Sequence, residues 1–212
     1  MKTDWLPEFS ELVPKLRFID PLGAFLTGNT DPQPVEYGFT DLVKLSGHSC
    51  PTIASAYGMV LEAMTALYTE SETPVRGEIR VICPGQPTIG ANGPLSQAIG
   101  FLTGAATENG FKGLAGKFKR QDLLEFNGDE THKAPFSFIR QDTGKKIQIR
   151  FHHDKIPASL QLGELMQKCL SNNASTLEVK EFGRLWQERV RFILVEDNNR
   201  KALFEILNGS SR

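Results

Sequence analysis

Cysteine is scarce in this sequence. Three residues, Cys50, Cys83 and Cys169, are scattered along 212 positions. An odd, dispersed set is not a disulfide framework and suits a reducing compartment. An excess of one charge sign is missing too. The net charge is −1, which gives no electrostatic reason to expect nucleic acid or an anionic membrane as a partner. No apolar run approaches the roughly 18 residues that cross a bilayer. The first residues, MKTDWLPEFSELVPKL, carry acids and prolines where a signal peptide needs a basic start and an apolar core. A cytoplasmic location is the expectation. There is no internal repeat, low-complexity tract, Walker motif, HExxH or GxSxG. Gly85, Gly90 and Gly93 are out of phase for a dinucleotide fingerprint.

What is present centres on Ser46–Tyr68, SGHSCPTIASAYGMVLEAMTALY. A polar cluster, Gly47-His48-Ser49-Cys50-Pro51, leads into a long helical pattern. Apolar residues recur at Ile53, Tyr57, Val60, Leu61, Met64, Leu67 and Tyr68, the period of one buried helix face. Pro51 suits the first turn, where its missing N–H costs nothing. His48 and Cys50 then sit at or just before a helix N-terminus, where the helix dipole and free N–H groups favour a thiolate. Ala54, Ser55 and Gly58 are small and allow close packing against a neighbour. The imidazole and thiol, two residues apart, read as half of a transition-metal site or as a Cys–His reactive pair. The plainer alternative is a buried Cys50 and a hydrogen-bonded loop His48.

The remaining pattern predicts an α+β fold: a mostly antiparallel sheet packed against long helices, with a helical C-terminal appendage. Phe9–Phe18 reads as a short helix, Asp20-Pro21-Leu22-Gly23 as a turn and Ala24-Phe25-Leu26 as an apolar plug. Val35–Phe39 alternates like a short strand, and Thr40 is positioned to cap a brief helix, Asp41–Leu45. Gly77–Cys83 is a strand ended by Pro84-Gly85. Leu95–Thr107 is a second helix stopped at Asn109-Gly110. Arg120–Phe126 reads as a strand. Phe136–Arg140 and Lys146–Phe151 have the period-2 pattern of a hairpin. Leu160–Leu170, Thr176–Val195 and an apolar segment Arg200–Leu207 make a helical tail. The expected organisation is an extension over 1–38, a core over 39–157 and the appendage over 158–212.

Other candidate groups are weaker. Cys83 ends a strand and could approach Cys50, giving an S,S,N set suited to zinc; a buried thiol is the alternative. His152 and His153 follow a strand, and one of them could ligate, because adjacent strand residues face opposite ways. Cys169 lies on an apolar helix stripe and reads as core. His132 reads as a solvated loop residue.

The stretch FTDLVKLSGHSCPTIASAYGMVLEAMTALY resembles the signature of the FmdE family, named after one component of formylmethanofuran dehydrogenase, with its Gly-His-x-Cys-Pro start to a long helix. Ala98-Ile99-Gly100-Phe101-Leu102-Thr103-Gly104 is similar to the family's second helix, and Phe136–Ile149 to its late hairpin. The resemblance implies an α+β core that forms homodimers, and a metal site, often zinc, at the residues matching His48 and Cys50. The chain departs from the pattern in three places. Gly90–Gln97 lacks the family's Cys and acid, Ala105 stands where a Cys often follows, and the C-terminus has only Cys169 in place of a Cys-rich zinc finger. It is therefore read as a stand-alone branch. The first functional expectation is a metal-binding protein with His48 and Cys50 as ligands. The second is an enzyme using Cys50 as a nucleophilic or redox thiol and His48 as base. The third is a non-catalytic dimeric scaffold, with Thr176–Val195 either a partner surface or a cover for the sheet. The sequence assigns no substrate, reaction or catalytic residue.

Overall fold

The computed structural model describes residues 6–128, 134–157 and 159–208; His132 lies outside them. After a 3-10 turn, Glu8–Leu12, the chain forms β1 (Leu16–Phe18), α1 (Pro21–Thr27), β2 (Val35–Tyr37), α2 (Phe39–Ser46), α3 (Pro51–Leu67) and β3 (Ile79–Cys83). Then come α4 (Asn92–Thr103), β4 (Leu124–Phe126), β5 (Phe136–Arg140), β6 (Lys146–Phe151), α5 (Leu160–Leu170), α6 (Thr176–Leu194), α7 (Asp197–Leu203) and β7 (Phe204–Asn208). The fold is α+β. β1 and β2 pair antiparallel. The main sheet has the order β4-β3-β5-β6-β7. It is mixed: β4 runs parallel to β3 and the other pairs are antiparallel.

α3 is the axis of the molecule. Its burial is wider than the single face that its periodicity predicts. Ala54, Ala56, Met59 and Ala63 are buried along with Ile53, Tyr57, Val60, Met64 and Leu67. A helix that is apolar nearly all round is covered nearly all round. α2, α4, α6, β6 and β7 all pack on it. Tyr57 is fully buried, and its hydroxyl lies 2.7 Å from the Pro14 carbonyl and 2.9 Å from that of Tyr37. It joins the N-terminal ribbon to the core, as a buried phenol needs a polar partner.

Several expectations are corrected. Phe9–Phe18 is not one helix: the 3-10 turn gives way before Pro14, which is unsuited to a helix interior, to the strand Leu16–Phe18. Asp20-Pro21 is a helix start, not a turn. The Asp20 carboxylate accepts the Leu22 and Gly23 N–H groups, and Pro21 takes the first turn of α1. Phe25 and Leu26 are not plugged in; they are 60% and 66% exposed. α2 starts at Phe39 after Gly38, whose N–H donates to the Asp41 carboxylate at 2.8 Å. α4 stops at Gly104 in the left-handed region, φ 77°, ahead of Asn109-Gly110. Only Leu124–Phe126 of the expected Arg120–Phe126 strand is extended, because Asp122 has φ 61°. The segment Arg200–Leu207 divides into the end of α7 and strand β7. Phe204 of β7 is buried and stacks on Phe151 with ring centroids 5.1 Å apart.

The β5–β6 turn is fastened to the end of α3 by Arg140. Its guanidinium donates to Glu72 at 2.8 Å and to Asp142 at 2.6 Å, and lies over the Tyr68 ring, 4.0 Å from its centroid. The Thr69 N–H and Arg140 hold Glu72 at about 2, and Arg140 holds Asp142 at about 2, against ordinary values of 4.5 and 3.8. Both folded-state values are depressed, so this stabilisation is complete above the ordinary range and is lost as pH falls toward about 2. Both carboxylates meet water, which limits its size. The urea midpoint of the wild type is expected to fall through this acid window more steeply than that of a Glu72→Gln, Asp142→Asn variant. Parallel curves would show that the cluster contributes nothing.

Candidate functional site

The Gly47–Pro51 cluster is a sharp link between two helices. α2 ends at Gly47, whose φ of 76° places it in the left-handed region, and the Gly47 N–H donates to the Val43 carbonyl. Cys50 is the N-cap of α3, extended at φ −147°, and Pro51 occupies the first turn. The sequence therefore folds here as its Gly and Pro dictate. Cys50 is buried and makes no side-chain cap bond.

His48 is exposed and anchored. Its Nδ1 lies 2.9 Å from the Ser46 carbonyl. A carbonyl oxygen only accepts, so Nδ1 carries the hydrogen, and the neutral ring keeps its lone pair on Nε2. Backbone fixation of one ring nitrogen is how a ligating histidine is commonly oriented. His48 and Ser46 line a groove of about 1050 Å³ that also takes in Phe101 of α4, Arg76 and Arg120. Small-molecule clefts span roughly 300–1,000 Å³.

α6 holds the cluster from the opposite end of the sequence. The Trp186 indole N–H donates to the Ser49 carbonyl at 3.1 Å, and the Gln187 amide donates to it at 3.3 Å. The Ser49 hydroxyl donates to Gln187 Oε1 at 2.8 Å. Ser49 stands between His48 and Cys50 in the chain, so these bonds hold the middle of the link against α6. The sequence alone leaves this helix as a cover for the sheet or a partner surface. Its buried residues, Val190, Ile193 and Leu194, belong to a helix packed on α3. Trp186 and Gln187 carry no sequence signal of this role, because their partner, Ser49, is far away in the chain.

The other candidates do not gather around His48 and Cys50. Among the described residues no group of three or more His, Cys, Asp or Glu could hold a metal ion. Cys83 is fully buried at the end of β3, and burial pushes its thiol up to about 12, so it stays protonated. His152 faces Glu205, with Nε2 3.0 Å from the carboxylate, and its backbone N–H donates to the Leu203 carbonyl; it ties β6 to β7. His153 is exposed in a 3-10 turn. Cys169 is half-buried on α5, not core.

The donor chemistry fits a borderline metal in part. One imidazole nitrogen and one thiolate are typical zinc ligands, but a tetrahedral site takes four donors. Among the described residues of one chain, His48 and Cys50 are the two candidate donors at this link, so a metal held there would need its further positions from water, a bound ligand or another chain. No helix among the described residues is long and apolar enough to cross a membrane.

No curated protein matches the chain. The sequence model described as "FmdE, Molybdenum formylmethanofuran dehydrogenase operon" matches residues 45–202, from the last turn of α2 to α7. That span holds the His-x-Cys link, the helix it starts and the helix that clamps it, and the chain belongs to the FmdE family.

Proposed function

We propose that this protein binds a transition metal, most readily zinc, through His48 Nε2 and the Cys50 thiolate. The carrying observation is the anchored imidazole: Nδ1 is occupied by the Ser46 carbonyl at 2.9 Å, which leaves Nε2 as the nitrogen for a ligand, on a residue that lines the groove. The family's description ties it to the operon of a molybdenum enzyme, which supports a role beside metal-dependent chemistry. Bound there, a metal would supply a Lewis acid with open positions. His48 and Cys50 would hold it, and the Ser49 contacts with Trp186 and Gln187 would keep the two donors in register. The setting we propose is cytoplasmic, and the assembly a homodimer. Its support is the apolar surface of α5 and α6, where Leu160, Leu170 and Leu177 are largely exposed.

Elemental analysis of untagged protein, beside Cys50→Ser, tests the site. Near one metal per chain, lost in the variant, is the expected result. Sedimentation of the same wild-type sample should show a dimer. No metal in either protein would remove the metal reading and leave Cys50 as a candidate reactive thiol. Alkylation rates across pH would then test that thiol.

A further inference from the structure

Two arginines share one carboxylate beside the groove. Asp20, the cap of α1, accepts from Arg76 Nη1 at 2.9 Å and from Arg120 Nη2 at 2.8 Å. No other carboxylate among the described residues pairs with either guanidinium. The cluster therefore carries one positive charge without a partner. Arg76 also donates from Nε to the Leu102 carbonyl and from Nη2 to the Phe101 carbonyl, which leaves one N–H on each of its two Nη atoms. Arg120 does not find enough acceptors: its side chain is 9% exposed, and Nη1 is buried with no hydrogen-bond partner. An unfilled donor on a buried cation is costly and calls for an explanation.

The position of Arg120 is built into the backbone. A Cβ at Gly77 would come within 2.0 Å of Arg120 Nη1, and one at Gly104 within 2.2 Å. Both glycines have positive φ, 88° and 77°. They leave a slot that only glycine permits, and the guanidinium fills it. Burial pushes the Asp20 carboxyl up, but the Arg76 hydrogen bond, the Gly23 N–H and the two cationic charges leave it below its ordinary value. Asp20 is thus an anion in the cluster and still neutralises only one of the two cations.

Arg76 and Arg120 both line the groove that His48 borders. Arg76 is the more accessible, with 22% of its side chain exposed. The remaining walls include Phe101, Phe111, Leu124 and Phe126. We propose that this groove binds a small organic anion, its acid group held by the accessible Arg76 guanidinium beside the buried charge of Arg120, and its carbon skeleton lying along these apolar side chains. Arginine suits carboxylate and phosphate alike, since both accept two parallel N–H bonds. The site does not require a metal at His48.

The test uses the full chain without added metal and three probes: 3-phenylpropionate, phenyl phosphate and neutral 3-phenylpropanol. Binding is read by titration calorimetry and by backbone amide shifts. Both acids, or one of them, are expected to bind and to shift the amides of residues 100–106. The stronger of the two identifies the source of the anion. Arg76→Gln is expected to weaken binding about tenfold, by loss of a charge-assisted fork. Asp20→Asn keeps the helix cap and removes the competing carboxylate, so it is expected to tighten binding several-fold. That variant keeps the proposal open to refutation should Arg76→Gln fold poorly. Equal binding of the neutral alcohol, or no binding by either acid to both wild type and Asp20→Asn, would overturn the proposal.

Discussion

Replacing Gly58 with leucine is expected to lower the stability of the chain by about 3 kcal/mol, the upper part of the range for overpacking a filled core. Gly58 lies on α3 under the Phe204 ring. A Cβ there would be 2.4 Å from Phe204 Cζ and 2.5 Å from Cε2. The ring has little room to yield. It is stacked on Phe151, and its strand is held to β6 with Phe151 opposite Phe204 and Ile149 opposite Ile206. Alanine gains about 1 kcal/mol of helix propensity over glycine, which offsets part of the clash in the smaller variant Gly58→Ala. Gly163 on α5 is the control, since nothing lies within 4 Å of a Cβ built there. Gly163→Ala should stabilise by about 0.5–1 kcal/mol. Urea midpoints would separate the two sites, and a compensating Phe204→Leu should recover part of the Gly58→Leu loss. An unchanged midpoint for Gly58→Leu would mean that β7 is not seated on α3.

Arg200→Met is expected to cost about 3 kcal/mol, because it leaves a buried acid without its cation. Arg200 is buried; its Nε donates to Glu62 at 3.1 Å, and Nη1 donates to the Leu194 carbonyl at 2.8 Å. Only 12% of the Glu62 side chain is exposed. The pair joins α3 to α7, so losing one member leaves a charge facing an apolar core. Replacing both, as Glu62→Met with Arg200→Met, removes the desolvated charges together and should cost clearly less than the single change. Chemical denaturation of the four proteins measures this. A double variant as unstable as the sum of the singles would show that the two side chains act independently.

Local patterns were enough for much of this architecture. α3, α5, α6 and the β5–β6 hairpin each have a period long enough to read. What failed was short or non-local. The Arg200–Leu207 segment has apolar residues at Ala202, Leu203, Ile206 and Leu207, a spacing that also suits a helix; the seat of Phe204 on Gly58 decides otherwise. Asp20-Pro21 carries the composition of both a turn and a helix start, and the bonds to Leu22 and Gly23 settle it as a cap. At the candidate site, His48 and Cys50 were legible because they are neighbours in sequence. The α6 clamp on Ser49 and the pairing of Arg76 with Arg120 through Asp20 were not, since each joins residues far apart in the chain that are unremarkable alone.

β7 is translated after the other strands among the described residues, yet it packs on α3 and forms an outer edge of the sheet next to β6. On the ribosome, the growing chain therefore holds β6 as an open edge, with Ile147, Ile149 and Phe151 unpaired on that side. Open apolar edges recruit other strands, and closure over so long a separation is slow. The interval before Phe204 emerges is the stage at which this protein is most exposed to aggregation, and the one in which a chaperone has most to protect.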